Sequence, residues 1–523
     1  MSTVVARWGV ADPFAGAASD REITGPDELT GDEDVLLVAG RLARDHGREL
    51  RRLRRRRDSL AVLVDGTPLR GGPGDLFVGL RTRLAGRRSN GVGIAPGDVP
   101  GVLDLPPGVD PRRDNPVGWR RWARAPAAAV LTTVPGPDAL GPLLDPTFDV
   151  RLLLGPGVRR SDLPAALADH RAVRVADAET LVERLQRFRV LFDDPRWHAG
   201  ERDEQAVVLR SLAVGTPVVT GGEVLDRLGV EVEPRSAGEV AARARALVDD
   251  DAHRERVSVV GRRRVLAAHT GAHRLRAVLA AFGRPVPAEP RVSVLLATNR
   301  PALLGHAVAS VARQRHPEVE LVAVLHGEGF DDLAPLERFP GPVRVVRAPA
   351  ERTLGECLNL GLEEATGELV AKMDDDDHYG RDHLGDLVRA HGYSGAALVG
   401  KRIEHVHLAD RGLTLTREQA NVERFGIHVS GPTLLAARTL LQRYRFLPEP
   451  SRVDSTLIER LRADDEQVYG THALDVVLER RGAGHTWEAD VEQMLATATQ
   501  VTDGLDLART ASEPGAYDDE SSS

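Results

Sequence analysis

Four consecutive aspartates, Asp374–Asp377, follow directly after the apolar segment Glu368–Met373. An apolar run of this length, preceded by the stop signal Gly367, predicts a buried strand. Neighbouring carboxylates repel one another, which destabilises a fold unless a cation lies among them. The sequence therefore requires a fold in which a strand ends where four carboxylates and a positive charge can meet.

Apolar segments alternate with helix-length segments before this acidic run. Such alternation is typical of an open α/β sheet, in which ligands bind beside the carboxyl ends of the strands. The predicted strands are Val292–Ala297, Glu320–Leu325 and Val343–Val346, and the predicted helices are Leu303–Arg315 and Leu354–Thr366. The aspartates are then expected at the ligand-binding edge of the sheet.

The spacing of the aspartates suits a metal ion. Oxygen ligands from alternate residues, here Asp374 and Asp376, favour a hard divalent ion such as Mg²⁺ or Mn²⁺. Such an ion can bridge the two phosphates of a nucleotide-sugar and take up the charge of the leaving diphosphate. A solvated acidic turn is the alternative, whereas a calcium loop fits poorly because Gly385 stands where an acidic residue is expected.

Four segments of the C-terminal half occur in the order and spacing of a known enzyme family. They are VSVLLATNRP at 292–301, SVARQRHPEVELVAV at 310–324, LGECLNLGLEEATGELVAKMDDDDHYGRDHL at 354–384 and SGPTLLAARTLL at 430–441. From about Arg291 to about Leu507 the chain resembles glycosyltransferase family 2, the inverting enzymes with the GT-A fold. The resemblance implies a metal-dependent transfer of a sugar from a nucleotide-sugar to a hydroxyl group of a saccharide or glycoconjugate.

The resemblance also implies roles for individual residues. By position, Asp374 lies near the ribose and Asp376 is the main metal ligand, with Asp377 in support. His326 stands where many family members have an acidic segment that reads the base, and a histidine can still hydrogen-bond to a base edge. The implied nucleotide-sugar-binding residues are Thr298, Asn299, His326, Asp374 and Lys401, and the implied metal ligands are Asp374, Asp376 and His485.

Two lysines border the predicted site in a chain that otherwise uses arginine. A retained lysine can mark a place where a compact ammonium fits and a planar guanidinium does not. Lys401 is therefore expected to contact a phosphate or sugar oxygen, and Lys372 borders the same pocket. An ordinary surface position is the alternative for both.

The general base of the family is an aspartate that follows a glutamate at the start of a helix. In the comparable segment, residues 450–458, Asp454 takes this place and Val453 replaces the glutamate. The resemblance implies that Asp454 removes the proton of the acceptor hydroxyl. A carboxylate at a helix start is also an ordinary N-cap, which is the structural alternative.

The N-terminal half has the pattern of a parallel α/β fold as well. Its predicted strands are Val35–Ala39, Leu60–Val64, Ala128–Thr132, Val150–Leu154 and Val173–Ala176. A strand near Arg187–Asp194, a helix at Glu204–Leu212 and AVGTPVVTG at 213–221 resemble the second Rossmann-like half of group-1-like, spore-maturation-type GT-B glycosyltransferases. The donor-binding glutamate of that class corresponds here to Arg210, so a structural or acceptor-positioning role is expected for this half.

These patterns predict an α/β protein with an N-terminal Rossmann-like, GT-B-like region and a C-terminal GT-A nucleotide-sugar-binding domain. The first region covers residues 1–283, either as one body or as lobes of about 1–150 and 151–283. Residues 284–290, with three prolines, form a stiff linker before the GT-A domain at 291–507. Residues 508–523 are acidic and serine-rich, and we expect a disordered tail.

Composition narrows the remaining classes. A net charge of −9 disfavours a general nucleic-acid binder, and no apolar run approaches the roughly 20 residues of a membrane span. The single Cys357 and the lack of an evident export signal favour a cytoplasmic protein. The arginine-rich tract at 48–57 leaves peripheral membrane association open, with a solvated helix face as its alternative. The oligomeric state is not indicated.

Three alternatives to a single active glycosyltransferase stay open. A nucleotidyltransferase is disfavoured because ATNRPALLGH, residues 297–306, lacks a glycine-rich basic loop. A catalytically weakened nucleotide-sugar-binding or scaffold protein is suggested by Val453 and Arg210. The third alternative is a bifunctional enzyme whose N-terminal GT-B module is active.

Overall fold

The computed structural model describes most of the chain. The described residues are 5–8, 21–22, 35–39, 61–65, 107–119, 125–139, 149–155, 158–167, 172–174, 178–231, 240–281, 286, 288–417, 422–449, 452–481 and 491–518. The chain divides into two compact units: the first comprises Met1–Asn115, Arg124–Asp249 and Gly261–Pro287, and the second comprises Pro116–Ala123, Asp250–Val260 and Ala288–Ser523. The division near residue 287 falls inside the predicted linker.

The described strands of the first unit form two parallel sheets. The first sheet contains β1 (Val5–Trp8), β2 (Arg21–Glu22), β3 (Val35–Ala39) and β4 (Ala61–Asp65), in the order β2-β1-β3-β4. The second sheet contains β5 (Ala125–Leu131), β6 (Val150–Leu154), β7 (Ala172–Arg174), β8 (Phe188–Asp193) and β9 (Val218–Thr220), in the order β7-β6-β5-β8-β9. The second order is that of doubly wound Rossmann sheets.

Helices accompany these strands along the chain. They are α1 (Ala178–Leu185), α2 (Glu201–Ala213), α3 (Val224–Leu228), α4 (Val240–Asp249), α5 (Asp251–Ala268) and α6 (Gly271–Ala281). Residues 127–131 of β5 are all buried, as expected for a parallel strand whose two faces are both covered. The bounds of β3 and β6 are those predicted from the sequence. The GT-B assignment of this unit stays a prediction.

The described strands of the second unit form an eight-stranded mixed sheet and a five-stranded sheet. They are β10 (Val292–Thr298), β11 (Val319–His326), β12 (Val343–Ala348), β13 (Leu369–Lys372), β14 (His378–Tyr379), β15 (Leu398–Lys401), β16 (His405–Leu408), β17 (Leu413–Thr416), β18 (Arg424–Phe425), β19 (Leu435–Ala437), β20 (Val468–Thr471), β21 (Val476–Arg480) and β22 (Gln500–Asp503). The larger sheet has the order β12-β11-β10-β13-β19-β15-β20-β18, and the smaller one has the order β14-β21-β16-β17-β22.

The described helices of this unit flank the two sheets. They are α7 (Leu304–Ala312), α8 (Ala334–Glu337), α9 (Leu354–Glu364), α10 (His383–Ser394), α11 (Arg438–Tyr444), α12 (Val453–Ala463), α13 (Val491–Thr497) and α14 (Leu507–Thr510). Among the helices in the described part of the chain, none combines the length and the apolar content needed to cross a membrane.

Strands β10 to β13 run parallel, so their carboxyl ends share one edge of the larger sheet. Helix α9 packs closely on this layer because Gly361 has no side chain; a Cβ there would lie 2.9 Å from Val324 Cγ2. The helix starts with a capping box in which Thr353 and Glu356 satisfy each other's backbone N–H groups. This packing fixes the edge at which β13 ends.

The predicted disorder of residues 508–523 is wrong for residues 508–518. Asp475 accepts hydrogen bonds from the backbone N–H (2.9 Å) and the hydroxyl (2.6 Å) of Ser512. Ala516, which is 2 % exposed, accepts a backbone hydrogen bond from Arg381 at 2.7 Å. The composition misled because the acidic and serine residues crowd the last positions, and residues 519–523 lie outside the described part of the chain.

Candidate active site

The acidic run lies where two neighbouring parallel strands end. Strand β10 ends at Thr298 and β13 ends at Lys372, two residues before Asp374. The hydroxyl of Thr298 donates a short hydrogen bond to the carboxylate of Asp375. The sequence predicted that Thr298 contacts the nucleotide. In the structure its hydroxyl orients the acidic run, a role that the sequence did not indicate.

Arg300 is the cation that the four adjacent carboxylates require. Its Nη1 donates to Asp376 Oδ2 at 2.7 Å, its Nε donates to Asp375 Oδ2 at 3.1 Å, and its Nη2 donates to Asp375 Oδ1. Burial opposes its charge, but the hydrogen bonds to the two aspartates outweigh this and raise the pKa of Arg300 above its usual value. Sequence reasoning missed this residue, although an arginine two positions beyond a strand end was a usable signal.

A buried lysine links the acidic run to the predicted base. Lys372 is 5 % exposed, and its Nζ donates to Asp374 Oδ1 at 2.6 Å. The same nitrogen lies 3.2 Å from Asp454 Oδ2. Although desolvation opposes a buried ammonium, the charges of both aspartates raise the pKa of Lys372. One ammonium thus brings two of the residues singled out in the sequence together.

Asp454 occupies the first turn of α12 without capping it. The N-cap residue is Arg452, and no side-chain cap hydrogen bond is present, so the structural alternative to a functional role does not apply. Among the described residues, Asp454 Oδ1 is buried and has no hydrogen-bond partner. Burial raises the pKa of Asp454 above its ordinary value, against the opposing charge of Lys372. Asp454 therefore has one carboxylate oxygen beside Lys372 and one without a partner in the described part of the chain.

Two neighbours explain how this carboxylate is placed. A Cβ on Gly431 would overlap the Asp454 carboxyl group, so the side chain packs directly on the glycine backbone. Val453, which replaces the usual glutamate, is 2 % exposed and belongs to the hydrophobic core formed with α11 and β19. Val453 therefore packs in the core of this chain. A glutamate is disfavoured at this position because a buried site among apolar side chains disfavours a carboxylate.

Asp377 is turned into the protein rather than toward solvent. It is 2 % exposed, its Oδ1 accepts from the backbone N–H of Glu479 at 2.9 Å, and its Oδ2 accepts from the hydroxyl of Tyr379 at 3.4 Å. Burial, together with the charges of Asp374 and Asp376, raises the pKa of Asp377 well above its usual range. This residue anchors the acidic run to β21.

Lys401 is corrected by the structure. Its side chain is completely buried at the end of β15, its Nζ donates to the backbone oxygen of Leu474 at 2.6 Å, and Asp386 Oδ2 lies 3.8 Å from the same nitrogen. An ammonium enclosed in this way does not reach a donor phosphate, so the predicted contact is wrong in this structure.

The other predicted residues lie at the same sheet edge or outside the described part. Asn299 is exposed directly after β10. His326 ends β11, where its Nε2 lies 3.2 Å from the backbone oxygen of Ala350 and its ring is partly exposed. His485 and the tract at 48–57 lie outside the described residues.

The donor set suits a hard cation in its chemistry. Asp374 and Asp376 offer carboxylate oxygens, and the guanidinium of Arg300 already lies against Asp376 as a stand-in for a metal ion. Within the described residues, no three Asp, Glu, His or Cys side chains are grouped closely enough to hold a metal. A divalent ion would therefore be held by these two aspartates together with further oxygens, such as those of a diphosphate.

The family model for glycosyl transferase family 2 matches residues 294–435. The match contains most of β10, all of β11 to β13, the acidic run and Gly431, and it ends before Asp454. This part of the mixed α/β protein is therefore similar to glycosyl transferase family 2. No curated protein matches the sequence.

Several solved structures resemble part of the chain. The mannosyltransferase PcManGT from Pyrobaculum calidifontis, in complex with GDP-Man and Mn²⁺, is 19% identical at a TM-score of 0.30, and the match covers 37% of this chain and 57% of that chain. TarS 1–349 from S. aureus, in complex with UDP-GlcNAc, is 20% identical at a TM-score of 0.31, with coverage of 38% and 62%. The chain thus spans less than two thirds of either protein, and likeness at this level does not define its ligands.

Proposed function

We propose that the second unit transfers a sugar from a nucleotide-sugar to a hydroxyl group of a saccharide or glycoconjugate, with inversion at the anomeric carbon. The observation that carries the proposal is the position of Lys372 Nζ, 2.6 Å from Asp374 Oδ1 and 3.2 Å from Asp454 Oδ2. The acidic run and the candidate base are therefore separated by a single ammonium group. An enzyme that displaces a diphosphate with a hydroxyl needs both groups beside the same reacting carbon.

Asp454 is the proposed general base. Its side chain is 22 % exposed, and its carboxylate accepts the acceptor's hydroxyl proton in the proposed reaction while Lys372 stays beside Oδ2. The acceptor oxygen forms a bond to the anomeric carbon as the bond from that carbon to the diphosphate oxygen breaks, and the proton ends on Asp454. The raised pKa of Asp454 makes it a stronger base than an exposed aspartate, and Lys372 keeps it ionised.

Asp374 and Asp376 are the proposed holders of Mg²⁺ or Mn²⁺, and His485 completes the proposed set. When bound, the ion supplies positive charge for the leaving diphosphate. Asn299 and His326 support nucleotide binding by their position at the carboxyl edge of β10 and β11, where open α/β sheets bind ligands.

For the first unit we propose a GT-B-like module with a structural or acceptor-positioning role. Support comes from the segment AVGTPVVTG at 213–221. Arg210 stands where the GT-B class has its donor-binding glutamate, and its Nε lies 3.6 Å from Asp114 Oδ1. A cytoplasmic setting without nucleic-acid partners, and peripheral association with a membrane, remain proposals from composition.

The test begins with a donor screen and ends with one substitution. Nucleotide-sugars are screened for thermal stabilisation of the full chain in the presence of Mn²⁺. Transfer and donor hydrolysis are then measured for wild type, Asp454→Asn and the matched control Glu459→Gln, an exposed acid on the same helix. We expect Asp454→Asn to lower turnover by about 100-fold or more with donor binding retained, since general bases contribute on that order.

Two outcomes would end this proposal. If turnover by Asp454→Asn is undiminished, Asp454 is not the general base. If no nucleotide-sugar stabilises the chain, the donor is not a nucleotide-sugar. Glu459→Gln should behave as wild type in both measurements.

A further inference from the structure

The acidic run is neutralised by two cations of different character. Lys372 is 5 % exposed, whereas the side chain of Arg300 is 38 % exposed and approaches from the loop after β10. Its carboxylate partners Asp375 and Asp376 are 3 % and 6 % exposed. A partly exposed guanidinium thus covers two nearly buried carboxylates from the solvent side.

The loop that carries Arg300 holds the side chain in this position. The backbone N–H of Arg300 donates to the hydroxyl of Thr298 at 3.1 Å, and the same hydroxyl donates to Asp375. Pro301 then begins a short 3-10 helix, Pro301–Leu303, that leads into α7. Strand β10, the loop and the acidic run are connected through one hydroxyl and one guanidinium.

We propose that Arg300 is the resident counter-ion of the acidic run and exchanges with the divalent cation. Arg300 Nη1 donates a hydrogen bond to Asp376 Oδ2 at 2.7 Å. A divalent ion bound to that oxygen would repel the guanidinium, whose paired N–H donors would then be available to the anionic diphosphate. The inference rests on the proposed function, because it assigns the cation and the diphosphate to this edge.

Physical chemistry supports both halves of the exchange. Two cations bound to one carboxylate oxygen repel each other strongly, because like charges a few ångströms apart are poorly screened near a protein surface. A planar guanidinium is well suited to phosphate because it presents paired N–H donors. Arg300 should therefore oppose metal binding in the free protein and favour diphosphate binding once the metal is present.

The opposite signs of these two effects give the test. Mn²⁺ binding to the full chain is measured by calorimetry without nucleotide, and GDP and UDP binding is measured at saturating Mn²⁺. The variants are Arg300→Met and the matched control Arg411→Met, whose arginine makes an exposed ion pair with Glu492 at 2.6 Å. We expect Arg300→Met to bind Mn²⁺ about tenfold more tightly than wild type and to bind the nucleoside diphosphate about tenfold more weakly.

A merely structural role for Arg300 would weaken both ligands, so that result overturns the proposal. Mn²⁺ affinity that is unchanged, weaker or absent in Arg300→Met overturns it as well. If Arg300→Met folds poorly, Arg300→Lys serves in its place, because it keeps the charge but loses the two-pronged contact with Asp375; an intermediate Mn²⁺ affinity is expected. The proposed function fails separately, through Asp454→Asn, whatever the metal affinity.

Discussion

The parallel strands of the two units end among different arrangements of charge. In the first unit, β8 ends at Asp193, whose Oδ1 lies 2.8 Å from His198 Nε2, and Glu204 of α2 lies 3.4 Å from Arg227. Asp193 thus contacts one histidine, and Arg227 contacts two glutamates, Glu201 and Glu204. In the second unit, β13 leads instead into four adjacent aspartates, of which a lysine and an arginine hold the first three.

The difference teaches that the sheet alone does not make the site. A parallel sheet supplies an edge where ligands can bind, but the chemistry depends on what other elements bring to it. In the second unit α12 brings Asp454 within 3.2 Å of Lys372. In the first unit, the position where the GT-B class has its glutamate is occupied by Arg210, which faces Asp114.

The largest expected effect is the loss of turnover on substitution of Lys372, which substitution of Lys401 should not cause. Lys372→Met should lower turnover of the folded protein by about 100-fold, because Asp454 loses the charge that keeps it ionised. It should also destabilise the unit by about 3–5 kcal/mol, since two carboxylates lose their buried partner. Turnover and urea unfolding are measured on the same preparations.

Lys401→Met is the matched control, because Lys401 is also buried but bonds to Leu474 and lies near Asp386, away from the acidic run. It should lower the free energy of unfolding while leaving turnover per folded molecule near wild type. Equal losses of turnover in the two variants would contradict the assignment of Lys372 and the correction made for Lys401.

Acidification should destabilise the two units in different pH ranges. In the first unit, burial and then the charge of Arg274 lower the pKa of His269 to about 4 from 6.5, so stability is complete above pH 6.5 and falls as the pH drops through 4. In the second unit, hydrogen bonds from Ser293, Thr366 and Arg344 outweigh burial and lower the pKa of Glu320 to about 2 from 4.5. Its contribution is complete above pH 4.5 and is lost toward pH 2.

The first unit should therefore open at a higher pH than the second. Hydrogen exchange in peptides that cover β8 and β10, labelled at one fixed pH after equilibration between pH 7 and 3, measures this order. His269→Gln should remove most of the change between pH 6.5 and 4 in the first unit. Simultaneous opening of β8 and β10 at every pH, with no effect of that substitution, would contradict the pKa argument.

The sequence predicted the local elements well because their signals are local. The apolar runs of β3, β6 and β10 and the glycine that follows α9 depend on neighbouring residues, and the acidic run had to follow a strand. The partner of that run was missed, since Arg300 and Asp375 are 75 positions apart and meet only through the pairing of β10 with β13. Asp454 was found through family resemblance, and its contact with Lys372 required the fold.

Lys401 shows how proximity in sequence can mislead. Both lysines end fully buried strands, but Lys401 Nζ donates to the backbone oxygen of Leu474, whereas Lys372 Nζ contacts Asp374 and Asp454. The short tail misled for a related reason, because Ser512 and Ala516 find partners in Asp475 and Arg381 that composition does not reveal.

The smallest expected effect is at Arg210, which stands where the GT-B class has its donor-binding glutamate. Arg210→Glu places a carboxylate near Asp114, which is 4 % exposed and whose pKa burial already raises, so we expect a loss of about 1–2 kcal/mol. Arg210→Gln, which removes the charge without adding one, should cost less. Calorimetry with the donor found in the screen should give the same stoichiometry for both variants as for wild type, because the Arg210 side chain pairs with Asp114 and a glutamate there would face a carboxylate instead of a ribose. A second binding event in Arg210→Glu would contradict this expectation. It would mean that Arg210 alone keeps the first unit from binding a donor, and the contrast between the two units would then depend on that residue.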